Sequence, residues 1–354
     1  MANGAFYNCE QLTDATLPNS VKYLGTGSFD SCTKLSHVNL NQGLISIGGN
    51  CFYGCTGLTE ISIPSSVTII DYHAFLGCSS LSEVSLRNSA VTYIGVQAFN
   101  GTAITSIDLP PHLEAIRTRL LTNTPVNTLS IPAGVMRVMP YALYSMKSLK
   151  ALIIEDSGTT LDFDYNANNR YGRDPFIDDT QDTDGVGRWL YGTKNIETLY
   201  LGRNTATWIN PEYEFPEQSR ADDASTNPFE SMESLKNITI GAEVTDASQL
   251  VFSLYRNLEQ ITLLAETPPV LNPLSAKQAA SVRVTVPAGC ADVYRNANGW
   301  SDVVTIEESA SISDIMADTA AGPEPVYNLM GIRMDASELP AGIYIKGNRK
   351  FIVK

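Results

Sequence analysis

The chain has 354 residues, 43% of them hydrophobic and 18% charged, with 38 acidic against 24 basic side chains and a net charge of −14. Such a surface repels nucleic acid and anionic lipid head groups, so neither is expected as a partner. The sequence holds no run of 18 apolar residues, which excludes a transmembrane helix of ordinary length.

The start, Met1-Ala2-Asn3-Gly4, leads straight into a repeat without the charged and apolar regions of a signal peptide. The expectation is an exported chain whose signal peptide has already been removed. One phrase then recurs through residues 4–154. Its anchor is Phe6, Phe29, Phe52, Phe75, Phe99, Leu121 and Leu143, at gaps of 23, 23, 23, 24, 22 and 22 residues. After the anchor comes a Leu-x-x-Ile-x-Leu run, as in Leu58, Ile61 and Ile63 or Leu81, Val84 and Leu86. A second apolar pair follows, for example Val67 and Ile70 or Val91 and Ile94.

A single coil of this length encloses too little volume to bury its own apolar side, so neighbouring coils must supply the rest of the core. The last three residues of the Leu-x-x-Ile-x-Leu run alternate in and out at period two, which predicts a short strand paired to the coils above and below. The strands then form one parallel sheet. Pro18, Pro64, Pro110 and Pro132 follow these strands and remove an N–H where the ladder stops.

Cys9, Cys32, Cys55 and Cys78 recur at 23 residues and occupy one position of the coil. Stacked neighbours at that position lie about 5 Å apart, a separation that permits a disulfide. A ladder of small buried thiols, continued by Gly101 or Thr102, needs only to pack, and free thiols are the preferred reading. Cys51 and Cys290 have no Cys-x-x-Cys partner, so zinc is not expected.

Ala74-Phe75-Leu76-Gly77-Cys78-Ser79-Ser80-Leu81 and Ile61-Ser62-Ile63-Pro64-Ser65-Ser66-Val67-Thr68-Ile69-Ile70 resemble the BspA-type leucine-rich repeat family. The resemblance is dense over 4–154 and returns in Ile196–Asn204 and Leu235–Gly241. It implies a cell-surface or secreted protein of Gram-negative anaerobes, adhesion to host proteins or other cells, and no catalysis.

Two acidic insertions, about 155–194 and 205–233, break the period within an interrupted region of 155–257. Insertions in solenoids become loops on one face, often the binding face. Asp178-Asp179-Thr180-Gln181-Asp182-Thr183-Asp184-Gly185 faintly resembles a calcium loop. Its register is poor, with Thr180 at the first position and Tyr191 at the twelfth, so a solvated acidic loop is the preferred reading.

Residues 258–308 resemble the closing repeat of the same family, with a short helix at Asp292–Asn296 and Trp300 folded back on the last coil. The solenoid therefore spans 1–308. Residues 309–325 turn to Ala, Ser, Asp, Gly and Pro and read as a linker. Residues 326–354 alternate apolar and polar around a Gly-Asn turn, which predicts a small antiparallel β module. It is similar to bacterial sorting-type domains, and that similarity implies export or surface attachment.

The three histidines, His37, His73 and His112, fall at different points of the coil, and no Gly-x-Ser-x-Gly motif is present. Neither an enzyme nor a cofactor is expected. Outward strand positions form a column running Thr16, Asn39, Ser62, Ser85, Asp108, Ser130, Ile153, Tyr200, Thr239 and Thr262. Its early part is small and polar, unlike a hot spot. Its character changes near Ile153 and Tyr200, where Tyr165, Tyr171, Trp189, Trp208 and Tyr213 gather in the acidic insertions. These seven residues are the candidate ligand-binding set. The competing reading has the rings filling the gap left by the broken repeat. The expected function is recognition of a protein partner, a host matrix or other cell-surface protein, outside the cell. The alternatives are a glycan-binding surface protein, in which rings stack on sugar faces, and a structural stalk with no ligand of its own.

Overall fold

The computed structural model describes residues 1–86, 89–164, 188–208 and 227–309, with backbone alone at Trp208 and in the strands between 326 and 353. Tyr165, Tyr171, Tyr213, the acidic loop at 178–185 and residues 310–325 lie outside the described residues. The expected parallel-strand solenoid is the architecture found. It divides into two units: Met1–Leu149, Thr159–Asn195 and Thr205–Ser231 form the first, and Lys150–Gly158, Ile196–Asn204 and Met232–Lys354 the second.

In the first unit most regular coils contribute strands at two places, although the run Ile104-x-x-Ile107-x-Leu109 forms none. The Leu-x-x-Ile-x-Leu run supplies Asp14–Thr16, His37–Asn39, Glu60–Ser62, Glu83–Ser85 and Thr128–Ile131. Asp14–Thr16 pairs in parallel with His37–Asn39, and Glu60–Ser62 with Glu83–Ser85. The sequence pattern anticipates these parallel strands but not their division, since Asp14–Thr16 with His37–Asn39 and Glu60–Ser62 with Glu83–Ser85 are separate two-stranded sheets rather than parts of the one sheet expected. It does not anticipate that the second apolar pair also forms sheet. Tyr23–Leu24, Ser46–Ile47, Ile69–Ile70 and Tyr93–Ile94 make one four-stranded parallel sheet, and Ala115–Ile116, Arg137–Val138, Leu161–Asp164 and Thr205–Trp208 make another. Most of these strands are two residues long, too short to show an alternating pattern. They form because a buried backbone needs partners, and the neighbouring coil offers them in register.

The anchor turns are stacked as closely as the strands. Phe6, Phe29, Phe52, Phe75 and Phe99 form a ladder with ring centroids 5.2–5.3 Å apart and planes within 8° of parallel. Each of these five phenylalanines donates its N–H to the next coil, as in Phe52 N to Ala74 O at 2.8 Å and Phe75 N to Ala98 O at 2.8 Å. The cysteine ladder lies beside the rings. All six cysteines are free. The Sγ of Cys32, Cys55 and Cys78 donates to the anchor carbonyl of the preceding coil, Phe6, Phe29 and Phe52, at 2.9–3.1 Å. Burial pushes the Cys55 thiol up to about 12, so it stays protonated as a donor. After the cysteines end, Thr102 and Thr124 take the same position and donate to the carbonyl of their own anchors.

Two left-handed residues flank every anchor from Phe6 to Leu143, and also Leu190, which takes the anchor's place in the turn that stacks on that of Leu143. Two positions before it stand Gly4, Gly27, Asn50, His73, Gln97, Arg119, Tyr141 and Arg188; two after it stand Asn8, Ser31, Gly54, Gly77, Gly101, Asn123, Ser145 and Gly192, with φ from 45° to 77° throughout. The corner geometry is thus fixed by the fold rather than by glycine, at roughly 1–2 kcal/mol of strain for each non-glycine residue.

The second unit is built on a parallel sheet of Ala151–Ile154, Thr198–Leu201, Asn237–Ile240, Gln260–Leu263, Arg283–Val286 and Ile306–Glu308. A charge ladder runs beside its first strands. The Glu197 carboxylate lies 2.7 Å from Lys150 Nζ and 2.9 Å from Lys236 Nζ. These lysines, Lys150 first, hold the Glu197 carboxyl at about 2 against its ordinary 4.5.

The unit closes with two helices. Ala291–Arg295 matches the expected short helix, and beside it Tyr294 and the buried Trp300 meet edge to face at 5.5 Å. Ala276–Ser281 is not anticipated. Its Gln278 completes a capping box with Ser275 and also donates to the carbonyls of Phe252 and Tyr255, so a side chain replaces the missing anchor turn. The strands Arg333–Met334, Val326–Asn328, Gly342–Lys346 and Arg349–Val353 pair antiparallel in that order.

Two outcomes follow from the ladders. Phe52→Ala, at a ring with no exposure between two others, lowers unfolding free energy by about 3–5 kcal/mol, and Phe6→Ala, at the 38% exposed end of the ladder, costs clearly less in urea titrations. Glu197 has a depressed carboxyl, so its stabilisation is present above pH 4.5 and is lost as pH falls towards 2. The stability difference between wild type and Glu197→Gln therefore narrows through that window in acid titration, and it is small because the side chain is 35% exposed.

Candidate ligand-binding surface

In a parallel stack, alternate strand residues leave the core as columns. On the first unit one outward column is Asp14, His37, Glu60 and Glu83, and the other is Thr16, Asn39, Ser62 and Ser85, all exposed. Between them runs the column of Ala15, Val38, Ile61 and Val84. A groove of about 400 Å³ is lined by His37, Val38, Asn39, Glu60, Ile61, Ser62, Glu83 and Ser85. His37 Nδ1 lies 3.4 Å from Asp14 Oδ1 and 2.9 Å from Ser36 Oγ, and the His37 and Asp14 side chains are each 70% exposed.

One ridge of this groove offers carboxylates, the other hydroxyls and an amide, and the floor between them is the strand itself at Val38 and Ile61, where alternation turns the side chain inward and Ile61 is 3% exposed. Glu60 and Glu83 are register partners, so two like charges sit one strand spacing apart. Like charges aligned in this way favour a cation laid along the ridge. The groove therefore suits an extended segment that carries lysine or arginine. Among the described residues, no three His, Cys, Asp or Glu side chains are grouped to hold a metal ion.

The aromatic candidates stand elsewhere. Ile153 and Tyr200 occupy outward positions of the second unit's sheet, yet each is only 5% exposed. Thr262, further along the same column, is 2% exposed. The Tyr200 hydroxyl donates to Asp156 Oδ1 at 2.6 Å, and burial followed by that carboxylate pushes the phenol far above its ordinary range. Glycine permits this cover. A Cβ on Gly202 would stand 2.5 Å from the Asp156 nitrogen, and one on Gly241 would stand 2.9 Å from Asp156 Oδ1. The turn at Asp156 thus comes in against the strand ends. In the first unit Trp189 is 1% exposed, donates its indole N–H to Asp164 O at 2.8 Å and meets Phe163 edge to face at 5.6 Å.

The expectation that Ile153, Trp189 and Tyr200 present a binding surface is therefore corrected: all three are packed inside and offer no face to a ligand. Trp208 lies in the Thr205–Trp208 strand, and Tyr165, Tyr171 and Tyr213 are outside the described residues. The open surface is the early column that looked bland in sequence. Its signal was the neighbouring column, in which Asp14, His37, Glu60 and Glu83 share one coil position.

The description "BspA type Leucine rich repeat region" matches this chain in six copies, over residues 1–124, 87–169 and 211–273. Among solved structures, a leucine rich repeat protein of T. pallidum is 29% identical over 46% of this chain and 65% of that one, with a TM-score of 0.33. This chain thus spans just under two thirds of that protein. A leucine-rich repeat protein from Bacteroides ovatus ATCC 8483 is 17% identical over 88% of each chain, with a TM-score of 0.35. A leucine rich cell surface protein from Faecalibacterium prausnitzii A2-165 is 18% identical over 87% of this chain and 91% of that one, with a TM-score of 0.35. No curated protein matches.

Tyr200 as a buried donor gives a direct expectation. Tyr200→Phe leaves the Asp156 carboxylate short of a hydrogen bond and lowers stability by about 2 kcal/mol in chemical denaturation. Because the ring is covered, the same variant keeps wild-type affinity for any partner held by the first unit's strand face.

Proposed function

Since the chain belongs to the BspA-type leucine-rich repeat family, we propose that it is an extracellular recognition protein that binds a protein partner through the strand face of its first unit. The observation that supports this most is the open groove between the Asp14–Glu83 and Thr16–Ser85 columns. Its partner is a basic, extended segment, whose cations answer the carboxylate ridge and whose amides answer Asn39, Ser62 and Ser85. Adhesion to a host matrix or another cell-surface protein is the role that the family resemblance implies, and a lasting stack of coils supports such a role better than a mobile surface. Among the described residues no helix is long and apolar enough to cross a membrane, so attachment rests on other parts of the protein, for which the antiparallel strands of 326–353 are our candidate.

The test is binding of the purified chain to immobilised extracellular-matrix proteins at physiological salt. A saturable hit that falls at least about tenfold in Glu60→Lys/Glu83→Lys, with circular dichroism unchanged, is the expected result. Binding that survives the charge reversal would move the partner off this face.

A further inference from the structure

The second line of sheet in the first unit has an open face of its own. Lys22, Ile45, Thr68, Thr92 and Glu114 are joined coil to coil, by Ile45 N to Lys22 O at 2.8 Å, Thr68 N to Ile45 O at 2.9 Å, Thr92 N to Thr68 O at 3.0 Å and Glu114 N to Thr92 O at 3.1 Å. The residues that follow them, Tyr23, Ser46, Ile69, Tyr93 and Ala115, form the adjacent column, with Ile69 in register with Ser46 on one side and Tyr93 on the other. Tyr23 and Ile69 are 57% and 41% exposed, whereas Ala115 is only 9% exposed. Lys22 and Glu114 are exposed, and among the described residues neither is held in an ion pair.

The two columns complement themselves when turned over. A two-fold axis along the Ile69–Ile70 strand lays a second copy face to face with its coils in reverse order, so that the coil of Glu114 covers the coil of Lys22. Lys22 then meets the partner's Glu114, and Glu114 meets the partner's Lys22. Tyr23 meets the partner's Ala115 and Ser46 the partner's Tyr93, a large ring against a small side chain in each case. Ile69 lies against the partner's Ile69 on the axis. Asp71 also falls on the axis; burial pushes its carboxyl up, while the Tyr72 N–H donor at 2.7 Å and the nearby Arg117 draw it down, so its charge is answered within its own chain. A register shifted by one coil puts Lys22 against the partner's Met136 and Ile45 against the partner's Glu114, and the charges lose their match.

We propose that this face joins two copies of the chain into a two-fold dimer. Opposite charges at both ends of the strip set the register, and the exposed tyrosine and isoleucine supply the apolar contact. The coils from Lys22 to Glu114 span about 20 Å of the stack, so the strip is smaller than the roughly 800 Å² per partner of a standard interface, and the association is weak and reversible. The carboxylate groove lies on the other strand line and takes no part in it.

The experiment is sedimentation of the purified chain over a concentration series at physiological salt, which screens the net charge of −14. A reversible monomer–dimer equilibrium is the expected result. Ile69→Lys removes the dimer with melting unchanged, because two ammonium groups would meet on the axis. Lys22→Glu and Glu114→Lys each weaken dimerisation about tenfold, and an equimolar mixture of the two variants regains wild-type affinity, since both cross-pairs of the mixed dimer are again of opposite charge. Glu60→Gln/Glu83→Gln leaves the equilibrium as it is. A monomer at every concentration, a dimer that survives Ile69→Lys, or charge variants that do not recombine overturns the proposal.

Discussion

Everything in this protein depends on the hydrogen bonds that run from one coil to the next. Within a coil no element is long enough to satisfy its own backbone: the strands are two to four residues, and the anchor turns close single bonds such as Cys55 N to Phe52 O. The partners come from the neighbouring coil at the strands and again at the corner. Side chains then follow the backbone translation. Rings fall over rings, thiols under carbonyls and glutamate between lysines, because each position repeats at one short spacing.

How far sequence foretells this varies by link. The anchors, the cysteine column and the parallel pairing were legible because each rests on a periodic identity that survives without knowledge of geometry. The second line of sheet was not, since Tyr23–Leu24 or Ile69–Ile70 is too short to carry a pattern. The left-handed corners were also hidden. Glycine marks the corner before the anchor at Gly4 and Gly27, but His73, Gln97 and Tyr141 adopt the same backbone there without any compositional sign. The helix Ala276–Ser281 escaped because its purpose is local replacement of an anchor turn, achieved by the amide of Gln278.

The candidate site was misjudged for a related reason. Ile153 and Tyr200 do occupy outward strand positions, as alternation requires, but outward does not mean exposed. Gly202 and Gly241 admit the Asp156 turn over the strand ends, and that closure depends on two missing Cβ atoms rather than on the residues it hides. Glu60 and Glu83 share one coil position, and their alignment is legible in sequence, where like charges at that spacing read as a solvated face.

The corner residues carry a consequence of a different kind. Their backbone is dictated by the stack, and at each corner the chain has accepted glycine, asparagine, serine, histidine, glutamine, arginine or tyrosine without altering the conformation. Corner identity is thereby uncoupled from coil stability to within a modest strain. A lineage that lengthens such a chain by duplicating coils inherits a sound scaffold at once, and can then rewrite the ornament at each corner one residue at a time. Diversity in such repeats is expected to accumulate at the corners while the anchors, thiols and glycines of close approach stay still.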